Sequence, residues 1–236
     1  MTPTRSPRGG RSTLGSLAIA FAAFGITTAQ ATEDVPRGTL TVDRDMVRVG
    51  VHSQLDWEIT YPTGVTDIVD VDPNGTITPK RDVRMKVRVL GVAFQSGNKL
   101  LPLDGYWAKN GSSWSRFFYG IGTQVIPGLV LVDEQLKAGD YVDFGARGWD
   151  GRGWLPFHHT RVADPYVTVL KDGDTAPDYT PAYNQDTIEG FLAPYIAGDK
   201  ISIGERDLIV LWEASTAKMG SKYFDMQDLV VLLTFE

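Results

Sequence analysis

Three carboxylates near the C-terminus are the first residues whose types and spacing could do chemistry. Glu213 closes the run "RDLIVLWE", and Asp225 and Asp228 open the run "DMQDLVVLLTF". Both runs are continuously apolar, as strands covered on both faces are. If they pair as an antiparallel hairpin across the loop "ASTAKMGSKY", Glu213 leaves one strand where Asp225 and Asp228 enter the other. Converging carboxylates repel one another and need compensation. A cation would supply it, with Ca2+ the candidate because it binds clustered oxygens. A loop lysine, Lys218 or Lys222, would also do. Glu213, Asp225 and Asp228 are therefore candidate metal ligands; the plainer alternative makes them the polar ends of buried strands.

A second group is aromatic and cationic. "GYWAKNGSSWSRFF" carries Asn110-Gly111 between apolar runs, the strongest short hairpin signal, since both central residues of a type I′ turn need φ > 0. Counting outward from a two-residue turn places Trp107 opposite Trp114. "GARGWDGRGWLPF" repeats the device with Asp150-Gly151 and places Arg147 opposite Trp154 and Trp149 opposite Arg152. Alternation then puts Arg147, Trp149, Arg152 and Trp154 on one face. Gly148 and Gly153 leave the other face bare for a close neighbour. Trp107, Trp114, Arg147, Trp149, Arg152 and Trp154 are candidate ligand-binding residues: indole faces beside guanidinium donors suit a sugar. Cross-strand pairs that only hold the hairpin tips are the alternative.

No pattern of catalysis stands out. His158 and His159 are adjacent, so on a strand they point to opposite faces and poorly serve one metal. No H-E-x-x-H, G-x-S-x-G or phosphate-loop pattern occurs, and with no Cys in the chain a thiol nucleophile is impossible. The acids of "DIVDVDPNG" and "KDGDTAPD" read as turns. A two-carboxylate glycosidase needs only that its acids meet in space, and it stays open as a third reading.

The elements that must position these residues are strands almost throughout. "QLDWEITYP" alternates with Leu55, Trp57, Ile59 and Tyr61 on one face. "RMKVRVLGVAF" places Met85, Val87 and Val89 inward and Lys86 and Arg88 outward. "TLTVD", "MVRVGVH", "TQVIPGLVLV", "DYVDFGA" and "PYVTVLKDGD" are further strands, separated at short intervals by the 25 Gly and 13 Pro. One short helix is expected near 186–196, where Asp186 or Thr187 can cap it and Pro194 limits it. The expected fold class is all-β, an antiparallel β-sandwich, immunoglobulin-like or jelly-roll-like.

The N-terminus reads as a signal peptide over 1–31. Arg5, Arg8 and Arg11 precede the apolar stretch "LGSLAIAFAAFGI", and Ala29-Gln30-Ala31 offers a cleavage site. Residues 32–236 are then the β-sandwich domain, open to subdivision into 38–94 and 95–236. The whole chain has 23 basic and 29 acidic residues. Without the leader and its three arginines it has 20 against 29, a net charge of −9. That balance argues against nucleic-acid partners, which are held by clustered Lys and Arg. No later stretch is long enough to span a bilayer as a helix.

The stretch "LTVDRDMVRVGVHSQLDWEITYP" resembles the first strands of bacterial immunoglobulin-like domains, with a short strand, a Gly-containing bend and a Trp-bearing strand. The acidic motif before the last strand is similar to that of uncharacterised secreted bacterial β-sandwich proteins. The resemblance implies fold and compartment, with no activity attached. The expected function is that of an exported, non-catalytic surface or periplasmic module that binds or assembles with a protein or a glycan. Carbohydrate recognition through the two Trp hairpins is the alternative, and a polysaccharide-active enzyme the third.

Overall fold

A computed structural model describes residues 37–42, 55–60, 64–177 and 193–236. The chain is all-β and sandwich-like. Its strands are β1 (Arg37–Val42), β2 (Leu55–Thr60), β3 (Val69–Val71), β4 (Ile77–Pro79), β5 (Val83–Gly91), β6 (Gln95–Ser96), β7 (Lys99–Leu100), β8 (Leu103–Lys109) and β9 (Ser115–Gly120). They continue with β10 (Val132–Leu136), β11 (Val142–Gly148), β12 (His158–His159), β13 (Val167–Leu170), β14 (Ile196–Ala197), β15 (Lys200–Ile201), β16 (Asp207–Trp212) and β17 (Leu229–Phe235). A five-stranded sheet runs β10-β5-β17-β16-β13, and a six-stranded sheet runs β3-β4-β11-β8-β9 with β12 attached to β11. Strands from the stretch 38–94 thus pair with strands from 95–236 in both sheets.

The main core lies between these sheets. Val83, Met85, Val87 and Val89 of β5, Val210 and Trp212 of β16, and Val231 and Leu233 of β17 meet Ile77, Leu103, Val142 and Phe144 from the other sheet. The alternation of β5 is as its sequence predicts, with Lys86 and Arg88 half-buried on the opposite face. The continuous apolar runs have their cause on the far side of the five-stranded sheet. There Ile209, Leu211, Val230 and Leu232 pack under Leu90, Ile201, Phe224 and Met226. Both faces of β16 and β17 are covered, so neither face selects for polar residues. The two strands pair antiparallel, Asp207 opposite Thr234 through Trp212 opposite Leu229.

Several local expectations fail for identifiable reasons. Among the described residues, β1 and β2 pair only with each other as a two-stranded sheet, with Leu40 opposite Trp57. Trp57 is 71% exposed and Ile59 49%, so the apolar face expected to be buried meets solvent. Alternation shows that a strand has an apolar face, not that anything covers it. Most of the segment that carries the immunoglobulin-like resemblance, 43–54 and 61–62, lies outside the described residues. "TQVIPGLVLV" is not one strand: a short 3-10 turn, Gly122–Gln124, and a turn across Pro127-Gly128 precede β10. The helix expected near 186–196 lies outside the described residues up to 192, and Ala193–Tyr195 is a 3-10 turn. The α-helix among the described residues is instead Val65–Ile68, where Asp67 accepts from the Gly64 N–H.

Candidate functional site

The first hairpin keeps its turn and loses its register. Asn110 and Gly111 both have positive φ, 52° and 70°, as a type I′ turn requires, and the Ser112 N–H donates to the Lys109 carbonyl. Beyond the turn the β9 side gains one residue, so Trp107 faces Ser115 and not Trp114. An inserted residue sends the side chains beyond it to the other face. Trp107 packs toward the core. Trp114 lies edge-on to Phe157 at 5.0 Å between ring centroids and 5.6 Å from His159. The Arg161 guanidinium caps Trp114 at 4.1 Å. The two indoles expected to pair are thus separated by the thickness of the sheet.

The second hairpin also departs from its expected count, with the opposite result. The loop is four residues, Asp150–Gly153, closed by the Asp150 N–H to the Gly153 carbonyl at 3.1 Å. Asp150 Oδ1 accepts from the Arg152 and Gly153 N–H groups at 2.7 and 2.8 Å, which holds its carboxyl below the usual carboxylate range. This wider turn brings Trp149 directly opposite Trp154, with centroids 5.3 Å apart. Arg147 reaches Trp154 diagonally, its guanidinium 4.4 Å from the ring centroid. Arg152 sits exposed at the tip. The bare back of Gly148 is filled by the Phe94 ring, leaving no room for a Cβ, while Gly153 faces open space.

The outer face of the six-stranded sheet joins these pieces through residues that sequence reasoning missed. Asp104, fully buried, accepts from the Tyr106 hydroxyl at 2.8 Å, from Arg116 at 3.3 Å and from Arg147 at 3.4 Å. Burial and the neighbouring Asp104 push the Tyr106 phenol up. Arg116 lies over Tyr119, and Tyr119 meets Trp154 at 6.4 Å. Tyr119 is 56% exposed and Trp154 38%. Asp143, also buried, is paired with Arg161 at 2.9 Å and accepts from Thr76 Oγ1 at 2.6 Å. The available signal was the alternation of "YVDFGA", with Asp143 and Gly145 between Val142, Phe144 and Ala146. It marks an outer face but not the side chains that fold over it.

At the end of the five-stranded sheet the three acids do converge. Glu213, Asp225 and Asp228 are all buried and line a cavity of about 310 Å³ together with Phe94, Gln95 and Tyr223. Glu213 accepts from the Ser215 N–H with Oε1 at 3.1 Å and from the Asp225 N–H with Oε2 at 3.0 Å. Asp228 Oδ2 accepts from the Ala214 N–H at 2.7 Å, and Asp225 Oδ2 from Gln227 Nε2 at 3.0 Å. No group of three or more His, Asp or Glu among the described residues is arranged to hold a metal ion. Lys218 and Lys222 are exposed, and Lys222 lies over the Tyr223 ring.

The surroundings of Asp228 favour its protonated form. Burial, then the charges of Glu213 and Asp225, raise the Asp228 carboxyl well above its usual range, and Asp228 shares a hydrogen bond with Glu213. His158 and His159 do face opposite ways: His158 meets Asp164 at 3.0 Å and stacks on Tyr166, while His159 lies with Trp114 and Phe157.

The chain matches no protein-family model, no curated protein and no solved structure.

Proposed function

We propose that the mature chain is an exported, non-catalytic binding module whose ligand surface is the Tyr119, Trp149 and Trp154 corner with Arg116, Arg147 and Arg152 around it, and that its ligand is a glycan. The observation that carries this is the contact of partly exposed Tyr119 and Trp154 beside guanidiniums fixed from below by a buried carboxylate. Aromatic faces suit the C–H faces of a sugar ring, and fixed donors suit its hydroxyls. The Trp154 ring is held before any ligand arrives, by Trp149 on one side and Arg147 on another, so little side-chain entropy is lost on binding. Trp107 takes no part, since it packs against the core. Trp114 packs instead against Phe157 and His159, beneath Arg161.

A glycan array probed with the mature protein, with Trp154→Ala and with Tyr119→Ala is the test. The wild type is expected to bind a subset of glycans, and each substitution to weaken that binding about tenfold or more, the scale of losing one good aromatic contact. An empty array for the wild type overturns the reading.

A further inference from the structure

The same corner carries a charge pattern that a neutral sugar does not need. Three guanidiniums, Arg116, Arg147 and Arg152, stand on it against two carboxylates, Asp104 and Asp150. Asp104 lies between Arg116 and Arg147 and can neutralise one of them. Asp150 is committed to the backbone N–H groups of its own turn. The surplus sits on a chain whose net charge is −6 overall, 29 acidic residues against 23 basic.

The donors are also unevenly used. Arg147 is committed: its Nη2 reaches Asp104 and Tyr106, and its plane lies on Trp154. Arg116 makes one long contact to Asp104 through Nη1, with its side chain 53% exposed. Arg152 is exposed on the turn that carries both indoles, where its charge acts on the Asp150 carboxyl. Arg116, over the Tyr119 ring, and Arg152, exposed on the turn beside Trp149 and Trp154, therefore keep N–H donors available at this corner. Guanidinium forks match a carboxylate in two parallel hydrogen bonds. Screening limits the repulsion from the rest of the acidic chain to about 8 Å at physiological salt, so the local surplus governs what binds here.

Resting on the glycan-binding reading, we infer that the sugar is acidic: a uronic-acid polymer, its rings on Tyr119 and Trp154 and its carboxylates on Arg116 and Arg152. Calorimetry of the mature protein with polygalacturonate and with the same polymer methyl-esterified isolates the charge while keeping the sugar. Alginate, dextran sulfate and a neutral xylan complete the panel. The acidic polymers polygalacturonate or alginate are expected to bind at least about tenfold more tightly than the ester, the scale of one charge-assisted hydrogen-bond pair. The preference is expected to shrink between 20 and 300 mM salt, as roughly 20 Å and 6 Å Debye lengths imply. Arg116→Gln with Arg152→Gln should weaken the acidic polymer more than the ester and close the gap between them. Arg152→Gln alone, at an exposed turn tip, tests the same point without touching Asp104. Equal affinity for acid and ester, or binding of xylan alone, overturns the acidic-sugar inference and leaves the aromatic corner standing. Tighter binding of dextran sulfate than of both uronates overturns the carboxylate assignment. No binding to any of the five overturns the glycan reading itself.

Discussion

Buried acids occur in two regions of this molecule and are neutralised in two different ways. Under the outer face of the six-stranded sheet, Asp104 and Asp143 are each met by arginine, Asp104 by two and Asp143 by Arg161. At the root of the C-terminal hairpin, Glu213, Asp225 and Asp228 line one buried cavity, and burial with the neighbouring charges favours the protonated form of Asp228. The difference follows from what each region can reach. Strands β8, β9 and β11 alternate, so every second residue is free to be a long cation that folds over its neighbours. β16 and β17 are apolar on both faces, and the loop between them carries its lysines out to solvent. A carboxyl group beside another in an apolar place takes up a proton more cheaply than it recruits a distant lysine.

Four substitutions would break or sharpen that contrast. The largest effect is expected from Arg161→Met, which leaves the buried Asp143 carboxylate without its cation. Breaking such a pair costs about 3 kcal/mol when one partner stays buried and charged, read as a lower urea midpoint with unchanged slope. Arg147→Met should cost less, about 1–2 kcal/mol, because Arg116 and the Tyr106 hydroxyl still serve Asp104. If the two losses are equal, shared compensation at Asp104 is refuted.

Asp228→Asn is the third. A carboxyl raised by folding binds its proton more tightly in the native state than in the unfolded one, where it titrates near about 3.9. Between that pH and the raised native value the folded chain holds more protons, so stability falls as pH rises, and the loss is complete above the native value. The amide keeps the acceptor for the Ala214 N–H and a donor toward Glu213. The variant should therefore lack that fall and exceed the wild type at pH 8 in urea midpoint. A wild type whose pH profile matches the variant's contradicts the protonated pair.

The smallest effect, of opposite sign, is expected from Asp140→Asn. Asp140 is half-buried, and Asn110 Nδ2, the Lys137 N–H and then Lys109 hold its carboxyl down to about 2. A lowered carboxyl contributes stability that is present above its unfolded value and lost as pH falls through the folded one. Wild type and variant should differ slightly above pH 5 and converge near pH 2. Convergence at high pH instead would reverse the assignment.

The strands themselves were legible. The alternation of "RMKVRV", the two apolar C-terminal runs and the turn at Asn110-Gly111 each named a local conformation that the structure contains. The convergence of Glu213 with Asp225 and Asp228 was legible too, because it follows from pairing two strands across one loop. Its chemistry was not, since proton, cation and lysine all answer the same repulsion. The Trp hairpins show the limit most sharply. Counting from a turn assumes an uninterrupted ladder, and one extra residue after Asn110-Gly111 sent Trp114 away from Trp107. The wider loop at Asp150–Gly153 joined Trp149 to Trp154. Asp104, Tyr106, Arg116 and Tyr119 carried no signal, because single polar residues on separate strands declare nothing until the strands are neighbours.

The amino-acid sequence by itself determined the all-β class, the positions of most strands, and the central place of the last two. These depend on periodicity and on the φ demands of a few turn residues, which act within about ten residues of chain. The tertiary structure alone decided which apolar faces are covered, with β16 and β17 enclosed and Trp57 left in solvent. It also decided which register each hairpin keeps and how each buried acid is neutralised. Those outcomes depend on what lies across the sheet or above it, and the partners come from positions far away along the chain.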